Sequence, residues 1–556
     1  MTAAVRTADF IATLGVNTHI GSAADGYQNL SVVAASINYL GLKNLRDSPL
    51  LASGATTWLQ VAQATGAKFD AYEPLGSPST MQASLNQVPQ LASEGILNYV
   101  EGGNEEDDAY PVSVGNSLAI TAQFQQQVYQ VGHSLGLPVI NMSFGAGWTA
   151  DNNWQGDYGA VGDLSAYADF ANAHTYPQPG QLPDSTVQRL NGLAHLAASS
   201  RPVITTEIGW NRARFSPDAI AKYALDAAMD GMKDGDAQMY FYSLFDNGAG
   251  QYGLMNQDGT TLPVGQAIHN LTTLLADGGA SARSFTPGSF NYTLSQTTAH
   301  DNSLLFEKSD GTYWLAVWDE VDPAHQIGVA LPSPAAEIRV FDPLTGTAPI
   351  QDVKGVSSVT VGFTDHPLLI EFTPPSTANM VTLASNNANP VVNASATTII
   401  AEAGNHNLFI GGINDIAILT GGTETVQAYH GSNNIRTGAG NDTIRIAGSG
   451  NVADAGSGAN AIYDSGSGNT LVMPTAGSDD VFGYVLQHGD KIDFRTVLAE
   501  LTGSGSQPLS DFIHVGMSGS NAIITTTTAS GDPASSMQLH SSGLLSMDGL
   551  LAHSIF

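Results

Sequence analysis

The chain has 556 residues, 42 % of them apolar, and a formal net charge of −32 although only 12 % are charged. Such a field repels nucleic acid and anionic membrane as main partners, and no apolar run is long enough to cross a bilayer. With no cysteine, disulfides and thiolate metal sites are excluded, and the length points to three or four domains.

Residues 1–278 alternate strand-like and helix-like segments. The predicted strands cover 10–20, 41–47, 67–73, 97–105, 138–146, 169–176, 202–210 and 237–246. Between them run helical patterns such as LSVVAASINYL (30–40), TAQFQQQVYQVGHSLG (121–136) and PDAIAKYALDAAMDGM (217–232), and LPVGQAIHNLTTLLAD (262–277) supplies a last helix. Eight β-then-α units over this length predict a (β/α)8 TIM barrel as the catalytic domain. The rival doubly wound sheet lacks a Gly-rich dinucleotide turn after its first strand.

Residues 279–375 lose the helical period. NSLLFEKSDGTYWLAVWDE and EIRVFDPLTGT read as hairpins with Asp-Gly and Thr-Gly turns, predicting an antiparallel β-sandwich. From 376 to 474 a glycine precedes each short β run roughly every nine residues, the period of a nonapeptide β-roll or β-solenoid. Residues 475–556 read as a β-rich cap.

Two apolar runs in the barrel end at carboxylates: NYVEGGNEEDD at Glu105 and RPVITTEIGWN at Glu207. Barrel chemistry sits at the C-terminal strand ends, and two facing carboxylates are the minimum equipment for cleaving a glycosidic bond. Glu101, Glu106, Asp107 and Asp108 crowd Glu105, and strand alternation alone favours Glu105 only slightly. Arg46 ends the second strand, next to Asp47 with which it could pair. A cation there would keep a neighbouring carboxylate ionised. Trp148, Trp154 and Trp210 lie at strand ends or in βα loops, where aromatic faces stack on sugars. Their alternative role is packing, and Trp210, three residues past Glu207, is read as a subsite wall. The Gly/Asn/Asp-rich loop 145–163 is long enough to shape substrate binding.

The Asn-Glu after strand four, the Glu after strand seven and the His-x-Tyr after strand six together resemble clan A glycoside hydrolases. Family 39 is the best match, with families 5, 30 and 79 as alternatives. The resemblance covers the barrel, about half the chain, and with the following β block about two thirds. It implies a retaining mechanism with Glu105 as acid/base and Glu207 as nucleophile. It implies further that Arg46 lies near the nucleophile, that Asn104 binds the sugar 2-hydroxyl, that Tyr176 orients Glu207, and that His174 lines the site. His19, at the end of strand one, is placed on the sugar. Where many clan members carry a tryptophan platform on strand eight, this chain has MYFYSLFDNG, so Tyr242 or Phe245 must substitute. No catalytic cofactor is expected.

GAGNDTIRI (438–446) fits the calcium nonapeptide with Ala439 for Gly, placing Asp442 as a ligand, and GGINDIAIL offers Asp415. Other turns lack the aspartate, so the array resembles an RTX β-roll with few intact calcium sites, or a metal-free solenoid. VLQHGDKIDF and the β-rich tail resemble the end of type I secretion substrates. The expectation is therefore an extracellular protein of a Gram-negative bacterium with a C-terminal signal, whose partner in export is the type I apparatus. The leading reading is a secreted retaining β-glycosidase acting on a polysaccharide or oligosaccharide, such as an exopolysaccharide. The alternatives are a non-catalytic carbohydrate-binding or matrix protein, and a transglycosylase using the same carboxylates.

Overall fold

In the computed structural model, eight short strands carry apolar and polar residues that are almost all buried. They are β1 (Leu14–Asn17), β2 (Asn44–Asp47), β3 (Lys68–Glu73), β4 (Leu97–Gly103), β5 (Val139–Ile140), β6 (Ala171–Thr175), β7 (Val203–Ile208) and β8 (Gln238–Phe241). They form one eight-stranded sheet in the order β5-β4-β3-β2-β1-β8-β7-β6, and every pairing is parallel. A parallel bridge between Ile140 and Phe170 joins the two ends, so the sheet closes into a barrel. The structure describes residues 2–555 except 21–23, 50–54, 74–77, 106–117, 146–156, 249, 322–323, 364, 374–379, 384–388, 396, 402–403, 484, 503–510, 529–530 and 541–545.

Helices fall between the strands where the sequence signals them. Helix α1 (Leu30–Leu40) starts at Asn29, whose side chain accepts Val32 N–H, and stops at Gly41, whose φ of 72° suits glycine. Helix α2 (Pro217–Asp234) is capped by the Ser216 side chain, has Pro217 at its first turn and ends at Gly235 with φ 87°. Helices Leu118–Ser134 and Pro263–Leu275 occupy the other two predicted positions.

A parallel barrel buries both faces of each strand, and here buried polar residues such as Asn17, Arg46, Asp70, Glu101 and Asn172 stand among the apolar ones. Val16, Leu45, Phe69, Val100 and Phe241 pack with helix residues such as Ile37, Leu225 and Leu271 in one apolar core.

The strands of 289–372 that are described form a two-stranded pair with Thr2–Ala3 and part of a seven-stranded sheet. In that sheet the hairpin Asn302–Glu307/Tyr313–Trp318 is antiparallel, and Val5–Arg6 adds alongside in parallel. Phe306, Trp314 and Trp318 belong to the same apolar core as the barrel helices, and Phe10 of the helix Thr7–Ala12 meets Phe306 at 5.0 Å between ring centres.

The chain divides into two compact units. The first holds residues 1–330, 339–352 and 359–372, and the second holds 331–338, 353–358 and 373–556. In the second unit, successive strands from Met380 to Asp493 alternate between an eight-stranded and a nine-stranded sheet, and the antiparallel strands of 513–539 extend the latter. From Thr398 the strands begin at Asn407, Ile416, Thr425, Asn434, Thr443 and Val452. Each pairs in parallel with the strand two places on, Ile399 with Ala417 with Ile435 and Val426 with Ile444 with Ile462. These inward residues are wholly buried in a core of their own.

Two polar ladders run through the turns. On one, Asp415, Asn433, Asn451, Asn469 and Asp490 each accept a backbone N–H from the rung before. On the other, Glu424, Asp442 and Asn460 do the same.

Candidate active site

The ends of the barrel strands converge on a cavity of about 260 Å³ lined in part by Asn17, Arg46, Asn104, Glu105, Tyr176 and Glu207. Each side chain is aimed by its strand. Arg46 is the third residue of β2 and is 1 % exposed. Its Nη1 donates to Glu207 Oε1 at 2.6 Å and to Asn17 Oδ1 at 2.9 Å. Nε and Nη2 form a bidentate pair with Glu101 at 2.6 and 2.7 Å, and Nη2 also reaches Asn104 Oδ1 at 2.6 Å. The Tyr72 ring lies 4.3 Å from the guanidinium. A guanidinium has five donors in a rigid fork, and here that fork is filled. Burial works against its charge, but Glu101 and Glu207 keep Arg46 charged. Asp47 is not its partner: the Asp47 carboxylate accepts from Thr18 Oγ1 and Ile20 N and holds the turn after β1 that carries His19.

Glu207 also accepts a short hydrogen bond from the Tyr176 hydroxyl. Burial alone would push its carboxyl up. The positive charges of His174 and Arg46 and the hydrogen bonds from Tyr176 and Arg46 outweigh burial and hold Glu207 below the usual glutamate range. His174 Nδ1 lies 2.8 Å from Glu105 Oε1 and 3.6 Å from Glu207 Oε2. Burial opposes the imidazolium, but the two carboxylates, Glu207 foremost, raise His174 above its ordinary value.

One oxygen of Glu105, one of Glu207 and one ring nitrogen of His174 lie within 4.8 Å of one another. Glu105 follows β4 in the left-handed region, φ 48°, and its N–H donates to Ser143 Oγ at 3.1 Å. That conformation costs energy for a residue with a Cβ, and it turns the Glu105 side chain toward the cavity instead of along the strand.

Tyr242 and His19 line the same cavity, their rings edge to face at 5.9 Å between centres, and Asn247 Nδ2 lies 3.2 Å from His19 Nε2. Two sequence expectations are corrected. Phe245 is wholly buried against Tyr27 at 5.1 Å and does not face the cavity. Trp210 is 3 % exposed and packs 6.1 Å from Tyr223 of α2, so it is a core side chain behind β7 and not a subsite wall. Trp148 and Trp154 lie outside the described residues.

The cavity also contains groups that the sequence did not single out. Asn17 stands two residues before His19, so the alternation of β1 could have marked it. Tyr72 and Tyr252 complete the aromatic lining. Glu101 is wholly buried between Arg46 and Asn172 Nδ2, which donates to it at 2.9 Å, and among the described residues of that segment this leaves Glu105 as the carboxylate facing the cavity. In the second unit, Asp415 and Asp442 each keep one buried oxygen, Oδ2, with no hydrogen-bond partner among the described residues, an acceptor that a cation could take.

No family model matches this sequence, and no curated protein matches it. Among solved structures, the chain is similar to a family 39 glycoside hydrolase from the gut symbiont Bacteroides cellulosilyticus WH2, at 15 % identity and a TM-score of 0.46 over 66 % of this chain and 82 % of that one. It is similar to a family 39 β-xylosidase from Caulobacter crescentus at 15 % identity and a TM-score of 0.46, over 67 % of this chain and 97 % of that one. A family 30 xylanase C from Talaromyces cellulolyticus gives 15 % identity and a TM-score of 0.43, over 67 % and 98 %. At this identity and TM-score these likenesses assign neither family nor substrate.

Proposed function

We propose that the chain is a retaining β-glycosidase acting on a polysaccharide or oligosaccharide, with Glu207 as nucleophile and Glu105 as acid/base. One observation carries the reading: oxygens of the two carboxylates lie within 4.8 Å of each other across an open cavity, and their surroundings differ. Retention needs carboxyl groups about 5–5.5 Å apart, whereas inversion needs roughly 6.5–9.5 Å to admit a water. Glu207, held ionised by Arg46 and Tyr176, attacks the anomeric carbon. Glu105 protonates the leaving oxygen and then takes the proton of the water that releases the sugar. Asn104 gives its carbonyl to Arg46, so its amide N–H is the donor for the 2-hydroxyl. His174 Nδ1 lies 2.8 Å from Glu105 Oε1, and its positive charge 3.6 Å from Glu207 Oε2 favours the ionised nucleophile.

Aryl β-glycosides test this. Glu207→Gln should remove turnover, a loss on the order of 10³-fold or more. Glu105→Gln should spare the first step with a dinitrophenol leaving group, which needs no proton, and stall the second, giving a burst. Product read by NMR should appear first as the β anomer. Initial α product, or undiminished activity in Glu207→Gln, would sink the assignment.

The proposal extends to the rest of the chain: a sandwich over 279–375, an RTX-like β-roll over 376–474 and a β-rich cap over 475–556. The nine-residue spacing of strand starts and the glycine-rich turns support the β-roll. Asp415 and Asp442 would hold structural calcium through their second oxygens, and the amide rungs Asn433, Asn451, Asn469 and Asn460 leave the other turns to hydrogen bonding. On this reading the repeats serve export by a type I apparatus to the outside of the cell.

A further inference from the structure

Outside the cavity, the seven-stranded sheet gathers a second group of ionisable side chains. Asn302 pairs with Trp318 across the hairpin, so Asp301 and Asp319 occupy the next opposed position beyond that pair. Like charges directly opposite on paired strands destabilise them. His325 opens the strand His325–Phe341 and brings Nε2 to 3.1 Å from Asp301 Oδ1. One ligating atom from each of Asp301, Asp319 and His325 lies within 4.8 Å of the other two. The carboxylates are fixed in place: Thr298 N donates to Asp301 Oδ2 at 2.8 Å, and Val321 N to Asp319 Oδ1 at 2.7 Å. Asp319 is wholly buried and the Asp301 side chain is 3 % exposed.

A second feature points the same way. Helix α2 buries Asp226 and Asp230 completely, and Trp318 Nε1 donates to Asp230 Oδ1 at 2.9 Å. Neither oxygen of Asp226 has a hydrogen-bond partner among the described residues. Burial first, and then the charges of Glu320, Asp230, Asp365 and Asp319, push its carboxyl up. Lys233 approaches Asp230 only to 4.0 Å, being held by Asp184 at 2.9 Å. Buried charge of one sign is costly unless an opposite charge accompanies it.

We infer that Asp301, Asp319 and His325 bind a divalent transition-metal ion that ties the end of the hairpin to the start of the following long strand. One imidazole nitrogen and two carboxylate oxygens suit Zn²⁺ or Mn²⁺, whereas Ca²⁺ takes an all-oxygen shell of about 6–8 ligands. The ion's charge offsets the opposed aspartates.

The test uses the full chain, stripped with EDTA and dialysed, then titrated with ZnCl₂ or MnCl₂ by calorimetry and thermal unfolding. Saturable binding is expected, with a Tm rise of several degrees at about 100 times Kd. Both should vanish in Asp301→Asn and His325→Gln and persist in Glu207→Gln, which disarms the other carboxylate–imidazole group. Metal-free Asp301→Asn should unfold no earlier than the metal-free wild type, because it loses a like charge. No Tm rise with either ion, a rise untouched by Asp301→Asn, or a rise lost in Glu207→Gln overturns the site. So does His325→Gln lowering Tm equally with and without metal, the mark of a simple imidazolium bridge. Should the variants not fold, Co²⁺ added to Glu207→Gln must give visible d–d bands that Zn²⁺ abolishes; their absence overturns it as well.

Discussion

At the residue scale, the site is organised by Arg46, whose fork joins Glu101, Glu207, Asn17 and Asn104. Glu207 therefore reads its environment through few bonds. Tyr176→Phe removes the hydroxyl that orients its second oxygen and should lower kcat by about 100-fold with little change in KM, the scale of a misaligned nucleophile. Initial-rate kinetics on an aryl glycoside check it. The pH profile follows from charge. Glu207 is held below the ordinary glutamate value of about 4.3, with His174 the largest favourable contribution, so it stays ionised well into the acid range. His174→Asn takes away that cation, and the acid limb of kcat/KM should move up toward neutral pH. A limb that stays put or moves down would show that His174 does not act on Glu207. Glu105, Glu207, Arg46, His174 and Tyr176, which the structure brings together, were legible because each stands at or near the C-terminal end of a strand in a short motif. Glu101 was not: a carboxylate inside a strand announces itself only when its partner across the barrel is known. Trp210 misled because an aromatic residue near a nucleophile can face either side of the chain, and Trp210 packs against Tyr223 of α2.

At the element scale, the eight β-strands and the four quoted helices were legible from period and punctuation, short β-rich runs alternating with amphipathic helical segments. Their ends were less legible. The run 138–146 keeps only Val139–Ile140 as strand: beyond it Asn141 N still bonds Phe170 O and Ser143 N bonds Gly103 O, but the Asn141 side chain turns to Ala197 O and its carbonyl accepts from the Asn172 side chain, which interrupts the regular ladder. In the second unit the ladder amides hold the turns. Asn451 accepts Asn433 N–H at 3.0 Å and donates to Asn469 Oδ1 at 3.3 Å. Asn451→Ala leaves a buried N–H unpaired and should destabilise this unit by about 1–3 kcal/mol, read as a lower urea midpoint of its unfolding. Asn451→Asp, which keeps the acceptor, should lose less at acid pH than at neutral pH.

At the scale of the whole molecule, buried carboxyls set the pH dependence of stability. Burial pushes Asp47, Asp236 and Asp479 up to about 7 and Glu73 up to about 8. A group whose folded pKa is raised contributes stability that is fully present below its unfolded value, about 4, and is lost as pH rises through the folded value. Glu207, depressed, acts in the opposite sense, gaining above its unfolded value. The raised groups outnumber it, so Tm should fall between pH 5 and pH 8, measurable by scanning calorimetry at fixed ionic strength. The net charge of −32 adds repulsion of the same sign, which salt screens. At 1 M salt the fall should shrink but not disappear. A Tm that rises over this range would mean that these carboxyls are solvated.

The barrel's closure bears on the reacting gap mechanically. From β4, which leads to Glu105, to β7, which holds Glu207, the sheet offers two arcs. One runs through β3, β2, β1 and β8 along paired ladders. The other passes the two-residue β5, the Ile140–Phe170 bridge with its flanking hydrogen bonds from Asp169 and Phe170 N to Val139 O and from Asn141 N to Phe170 O, and then β6, braced at the mouth by His174 against Glu105 at 2.8 Å. The first arc is a stiff spring and the second a compliant one in parallel with it. Springs in parallel share one displacement, so the long, continuously paired arc sets how far the two carboxylates can part when a ring is wedged between them.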